Sequence, residues 1–128
     1  MTKSKAMPWI VYGAILVAIF AGMWFAFTAN QKPGKLDGFA SCLKDKGATF
    51  YGAFWCPHCQ NQKAMFGNSA RLLPYVECST PDGQSQFPAC TQKGIKNYPT
   101  WEFKDGSRET GEVALSKLAE KTGCELPK

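Results

Sequence analysis

From Pro8 to Ala29 the chain runs for 22 residues without a charge, PWIVYGAILVAIFAGMWFAFTA. At 1.5 Å per residue such a run makes a helix about 33 Å long, enough to cross the hydrocarbon of a bilayer once. It divides the 128-residue chain into an apolar span and a remainder of about a hundred residues, the size of one folded domain. A cleaved signal peptide needs a shorter apolar stretch, with small residues at the first and third positions before the cut. Phe27 stands two places before Ala29, and Trp24 two before Ala26, so the expectation is an uncleaved signal anchor. The organisation read from this is an N-terminal cytoplasmic tail over 1–7, a transmembrane anchor over 8–29, a polar linker over 30–35 broken by Pro33-Gly34, and a domain over 36–128.

Lys3 and Lys5 precede the span and Lys32 and Lys35 follow it, so basic residues alone barely orient it. Cysteine orients it better. Cys42, Cys56, Cys59, Cys78, Cys90 and Cys124 all follow the span, and six in so short a domain suit an oxidising compartment. The expectation is a single-pass membrane protein whose domain lies outside the cytoplasm, in a periplasm or lumen. From residue 30 onward 13 Lys and Arg mix with 10 Asp and Glu, without a basic run or interleaved aromatics, so no nucleic-acid partner is expected.

Leu36, Phe39, Ala40 and Leu43 recur at helical spacing, with Asp37 placed to cap the start and Gly47 to end the turn. Ala48 to Phe54 is short, apolar and aromatic, as in a strand buried on both faces. Pro57 suits the first turn of a helix reaching Phe66, where Gly67-Asn68 interrupts it. Tyr75 to Cys78 reads as a second strand, Thr80 to Gly83 as a turn and Phe87 to Lys93 as a short helix. Thr100 to Phe103 and Arg108 to Thr110 read as a hairpin about Lys104–Ser107, and Val113 to Ala119 as a last helix ended by Gly123. The fold class is α/β: a mixed four-stranded sheet with helices on both faces, preceded by one transmembrane helix.

The chemistry concentrates in FWCPHCQNQK, Phe54 to Lys63. A thiolate, not a thiol, attacks a disulfide, and the first cysteine of Cys-x-x-Cys at a helix start meets free backbone N–H groups and the positive end of the helix dipole. Cys56 is therefore the candidate nucleophile. Cys59, one turn on, can close onto the same sulfur and resolve a mixed disulfide. His58 adds a donor, and when protonated a charge, that favours the Cys56 thiolate and makes the disulfide easier to reduce. A zinc site would need two more ligands, and no second knuckle is present, so no metal is expected. An inert staple is also disfavoured, because closing so small a loop gains little entropy.

WCPHC between an apolar strand and a helix, followed some forty residues later by YPT, resembles the thioredoxin superfamily. More narrowly, FYGAFWCPHCQNQKAMFG, YVEC and GIKNYPTWEF are similar to the thioredoxin-like domain fused to, or partnered with, bacterial and plant vitamin K epoxide reductase homologues. The likeness runs from Phe39 to Gly123. It implies a thioredoxin-like fold and a thiol–disulfide oxidoreductase that oxidises exported proteins and hands the electrons to a quinone-reducing membrane partner. By position, Cys56 matches the attacking cysteine and Cys59 the resolving one, with Pro57 and His58 completing the catalytic motif. Pro99 matches a cis-proline facing the pair, and Tyr98, Pro99 and Trp55 are the implied substrate contacts. No cofactor is implied.

Two departures stand out. These residues include no four-helix quinone-reducing bundle, so the partner is expected to be a separate protein. Ala48 to Phe54 also holds no Asp or Glu, where thioredoxins carry a buried acid, which leaves Lys63 as the nearest titratable group for Cys59. The other four cysteines allow three pairings. Cys78–Cys90 is similar to a bridge of the family, and Cys42–Cys124 would then tie the leading helix to the chain's end. A structural role is favoured over an electron relay at Cys78–Cys90, since neither cysteine has a helix start to stabilise a thiolate. Ala14, Ala18, Gly22 and Ala26 form a small-residue stripe on which another membrane helix could dock. The rival readings are a reductase serving, for example, cytochrome maturation, a non-catalytic peptide-binding adaptor, and a metal-binding module.

Overall fold

The computed structural model of the chain describes residues 7–29 and 32–128. The tail expected over 1–7 lies outside these except for Met7, and so do residues 30 and 31 of the linker. The chain divides into two units, one ending at Lys32 and one spanning Pro33–Lys128.

Among the described residues, the first unit contains one helix, α1 (Met7–Ala29). Its stretch Trp9–Thr28 is long and apolar enough to cross a membrane, and none of it is buried against protein. Thr28 turns its hydroxyl back to the carbonyls of Trp24 and Phe25, satisfying it within the helix.

In the second unit, α2 (Asp37–Asp45) presents Phe39, Ala40 and Leu43 to the core. Strand β1 (Thr49–Gly52) leads to α3 (Pro57–Phe66), a 3₁₀ helix (Gly67–Leu72) and β2 (Tyr75–Glu77). Next come α4 (Pro88–Gln92), the hairpin β3 (Thr100–Glu102) and β4 (Arg108–Thr110), and α5 (Leu115–Thr122), which Gly123 ends in the left-handed region at φ 71°. The sheet order is β2-β1-β3-β4, with β1 parallel to β2 and antiparallel to β3. Its mixed character follows from the connections: a helical crossover joins β1 to β2, and a tight turn joins β3 to β4.

Successive residues of β1 point to opposite faces, and each face has its own core. Phe50 stacks on Trp101 at 4.8 Å, in a cluster that takes Phe39 and Leu43 from α2, Cys59 and Phe66 from α3, and Leu118 from α5. Tyr51, on the other face, joins Cys78, Cys90 and Ile95. Both cores contain a bridge: Cys42–Cys124 joins α2 to the residue after α5, with Cα atoms 5.9 Å apart, and Cys78–Cys90 joins the end of β2 to α4, at 5.6 Å.

Several elements differ from their sequence pattern for identifiable reasons. The strand expected over Ala48–Phe54 pairs only from Thr49 to Gly52, because the chain turns outward to reach the helix and leaves Phe54 and Trp55 about half exposed. After Gly67, at φ 53°, the chain tightens into the 3₁₀ turn instead of leaving helical geometry. Val113 precedes α5 and does not belong to it, since its backbone is held by a side chain of α3.

Asp37 does not cap α2. It accepts two hydrogen bonds of 2.7 Å from the Arg71 guanidinium and one of 3.1 Å from the Gly34 N–H, an arrangement that holds its carboxyl well below the usual carboxylate range. A carboxylate so depressed stabilises the fold above the pKa of its unfolded form and loses that contribution as pH falls. Asp37→Asn is therefore expected to lower the thermal midpoint at neutral pH. The gap from wild type should narrow as pH falls below about 4. Equal midpoints at neutral pH would show that the pair contributes nothing.

Candidate redox site

Strand β1 delivers the chain to the site and the turn after it sets the first sulfur. The Cys56 N–H donates to Ala53 at 3.0 Å, Cys56 is extended at φ −81°, ψ 117°, and Pro57 opens α3 with no N–H to leave unsatisfied. Cys56 thus occupies the N-cap position, beside the free amides of the first turn of α3.

Cys56 and Cys59 are both free thiols, 5% and 1% exposed. Their environments are unlike. The Cys56 thiol donates to the Tyr98 carbonyl at 3.7 Å. Cys59 lies beneath it, and burial, followed by the neighbouring Cys56 thiol, pushes its pKa up to about 12. Of the two, Cys59 is the one held as a neutral thiol.

The remaining residues singled out in the sequence gather here as well. The Tyr98–Pro99 peptide bond is cis, and Pro99 is fully buried. Trp55 donates its indole N–H to Ser79 Oγ at 2.8 Å and meets the Tyr98 ring edge-on at 6.0 Å, while the Tyr98 hydroxyl is bonded to the Gln86 side-chain amide. His58 is largely exposed, and its Nδ1 lies 2.7 Å from Glu112 Oε1. The Lys63 ammonium lies 3.4 Å from the centre of the Tyr75 ring. Neither disulfide supplies a free sulfur: Cys78–Cys90 packs in the core behind Tyr98, and Cys42–Cys124 lies in the core of the opposite face. Among the described residues, no cluster of His, Cys, Asp and Glu is arranged to hold a metal ion.

Four participants escaped the sequence reading. Glu112 accepts from both His58 and Asn61, whose presence holds its carboxyl below the ordinary range. Gln62, fully buried, bonds both backbone groups of Val113. Its signal was the spacing Cys59, Gln62, Phe66, which is one inward helix face. Tyr75 and Glu77 reach the site only through sheet pairing, for which no local pattern exists.

A mixed four-stranded sheet with flanking helices, and a pair of free thiols at a helix start, are compatible with a redox domain of thioredoxin-like α/β type. The comparison with known proteins points the same way. Over 92 residues the chain is 46% identical to the thiol-disulfide oxidoreductase LTO1 of Arabidopsis thaliana, a match covering 68% of this chain and 24% of that protein. The heat stress transcription factor A-1a of the same plant is 28% identical over 112 residues, 82% of this chain and 23% of that protein. The chain thus spans about a quarter of the length of these relatives. No family model matches. The likeness to LTO1 and the cysteine content support an oxidoreductase role.

Proposed function

We propose that this chain is a membrane-anchored thiol–disulfide oxidoreductase whose domain lies outside the cytoplasm, oxidises cysteines of exported proteins, and passes the electrons to a quinone-reducing membrane partner of the vitamin K epoxide reductase kind. One observation carries the reading: a free sulfur at the N-cap of α3, bonded to the Tyr98 carbonyl, with a second free sulfur buried one turn into the helix.

In the oxidising direction a substrate thiolate attacks Sγ of Cys56 in the Cys56–Cys59 disulfide. The S–S bond breaks, its electron pair goes to Cys59, and Cys59 takes up a proton. A second substrate thiolate then attacks its own partner in the mixed disulfide, a substrate disulfide forms, and Cys56 leaves as the thiolate that the helix start stabilises. Two electrons now reside on the pair, and the membrane partner removes them. His58, whose Nδ1 lies 2.7 Å from Glu112, holds a polar ring at the helix start two residues after Cys56. Tyr98 and Trp55 supply the edge and the ring against which an extended peptide lies.

The full chain carrying Cys59→Ala, expressed in a native secretory background, is expected to accumulate exported proteins as mixed disulfides on Cys56. An empty trap would favour the adaptor. Equilibration of wild type with glutathione separates the oxidase from the reductase: a potential above about −200 mV fits the oxidase, and one near about −270 mV, as in thioredoxin, excludes it.

A further inference from the structure

The chemistry just described, on which this inference rests, moves a proton on and off a sulfur that water does not reach. In either direction of exchange Cys59 changes between thiol and thiolate, and it is 1% exposed, with a pKa raised by burial to about 12. Left alone, such a thiol ionises too rarely to resolve a mixed disulfide quickly, and a departing thiolate there has no solvent to protonate it. A neighbouring group must handle the proton.

The structure sets a phenol and a carboxylate beside this sulfur. A Cβ built on Gly52 would lie 2.9 Å from Cys59 Sγ, 2.8 Å from Tyr75 Cε2 and 3.4 Å from the Tyr75 hydroxyl oxygen, so the sulfur and the phenol converge on the space that the missing side chain leaves open. Tyr75 then donates its hydroxyl to Glu77 Oε2 at 2.7 Å. The other carboxylate oxygen accepts from the N–H groups of Ser79 at 2.9 Å and Phe54 at 3.2 Å, which fixes the carboxylate in place. Glu77 is half-buried and lines a shallow surface groove with Phe54, Ser79, Pro81 and Phe87, so its outer side meets solvent. The parallel register pairs Gly52 with Glu77, and that pairing brings carboxylate, phenol and sulfur to one end of the sheet.

We propose that Tyr75 and Glu77 form the proton relay for Cys59. As Cys59 Sγ gives up its proton to the Tyr75 oxygen, the Tyr75 hydroxyl proton passes to the Glu77 carboxylate; the thiolate attacks Cys56 Sγ, a Cys56–Cys59 bond forms, and the partner's sulfur leaves with the electron pair of the broken bond. In the oxidising direction the same protons run backward, from Glu77 through Tyr75 to the departing Cys59 thiolate. Tyr75 borders the same space beside Gly52 as the reacting sulfur, and Glu77 acts through it as a positioning residue. The titratable groups facing this path are Cys56 and Lys63 from α3 and Tyr75 and Glu77 from β2, while β1 contributes only Phe50 and Gly52 on this face. Lys63, with its ammonium over the Tyr75 ring, stabilises negative charge passing through the phenol.

The test uses the full reduced chain in detergent, mixed rapidly with excess oxidised glutathione from about pH 6 to about pH 9. A first phase, proportional to glutathione concentration, reports attack by Cys56; a second, independent of it, reports closure by Cys59. Glu77→Gln and Tyr75→Phe are each expected to slow the second phase about a hundredfold at neutral pH and to make it accelerate about tenfold per pH unit, with the first phase unchanged. The double variant should be no slower than either single one, and Glu77→Asp should recover part of the loss. Tyr75→Phe keeps its ring against Phe50 and carries the comparison even where Glu77→Gln disturbs the loop that it anchors. Wild-type second phases, in rate and in pH dependence, in both variants would overturn the relay. A wild-type first phase no faster than that of free cysteine would instead overturn the oxidoreductase reading.

Discussion

Replacing Cys42 and Cys124 together by alanine is expected to remove about 4.5 kcal/mol of unfolding free energy. The bridge joins residues 82 apart, and the loop it closes holds all four strands and the reactive pair. In the chain-entropy account, what it removes is freedom of the unfolded chain, and the benefit rises with the logarithm of loop length. A domain of this size has about 5–15 kcal/mol in all, so the loss takes it close to the edge of unfolding. Cys78 and Cys90 are only 12 residues apart, and removing their bridge should cost less, about 3 kcal/mol. Urea unfolding of the full chain in detergent, with the helical signal of the domain followed for each variant, gives both numbers. The account fails where the long-loop variant loses less than the short-loop one.

Gln62→Leu should be nearly as damaging, for the opposite reason: it harms the folded state. The Gln62 side chain is fully buried, receives the Val113 N–H at 2.6 Å and donates to the Val113 carbonyl at 3.0 Å, a two-bond imitation of strand pairing between α3 and the segment before α5. Leucine fills a similar volume but leaves both backbone groups buried and unpaired, at about 1–3 kcal/mol each. The expected loss is therefore about 2–6 kcal/mol in the same urea experiment. A loss below about 1 kcal/mol would show that water reaches Val113.

These two residues also mark where a linear reading of the chain stops. The elements were legible because local chemistry declares them: proline at the start of α3, glycine at the end of α5, an aromatic run for β1, and a polar turn between β3 and β4. The two central sulfurs were legible because a spacing of three along a helix is itself a local fact. Gln62 was visible only as an oddly polar residue, since its partner Val113 lies 51 positions away. Glu112 gave no signal at all, being one acid among ten. Tyr75 and Glu77 look like ordinary strand residues until the β1–β2 register sets Glu77 beside Gly52, and that register comes from how a crossover helix packs, not from any spacing. Asp37 erred in the other direction. It has the residue type and position of a cap, but Arg71, 34 residues on, offers it two charged donors where the helix start would offer a neutral amide.

Residues 112 and 113 fasten the reactive helix twice, by fasteners of unequal grip. Glu112 holds the outer face at His58 and Asn61 through bonds open to water, whereas the backbone of Val113 holds the inner face at Gln62 through bonds sealed in the core. Water can exchange with the first set of bonds and not with the second. The outer start of the helix can therefore give while the inner sulfur keeps its station.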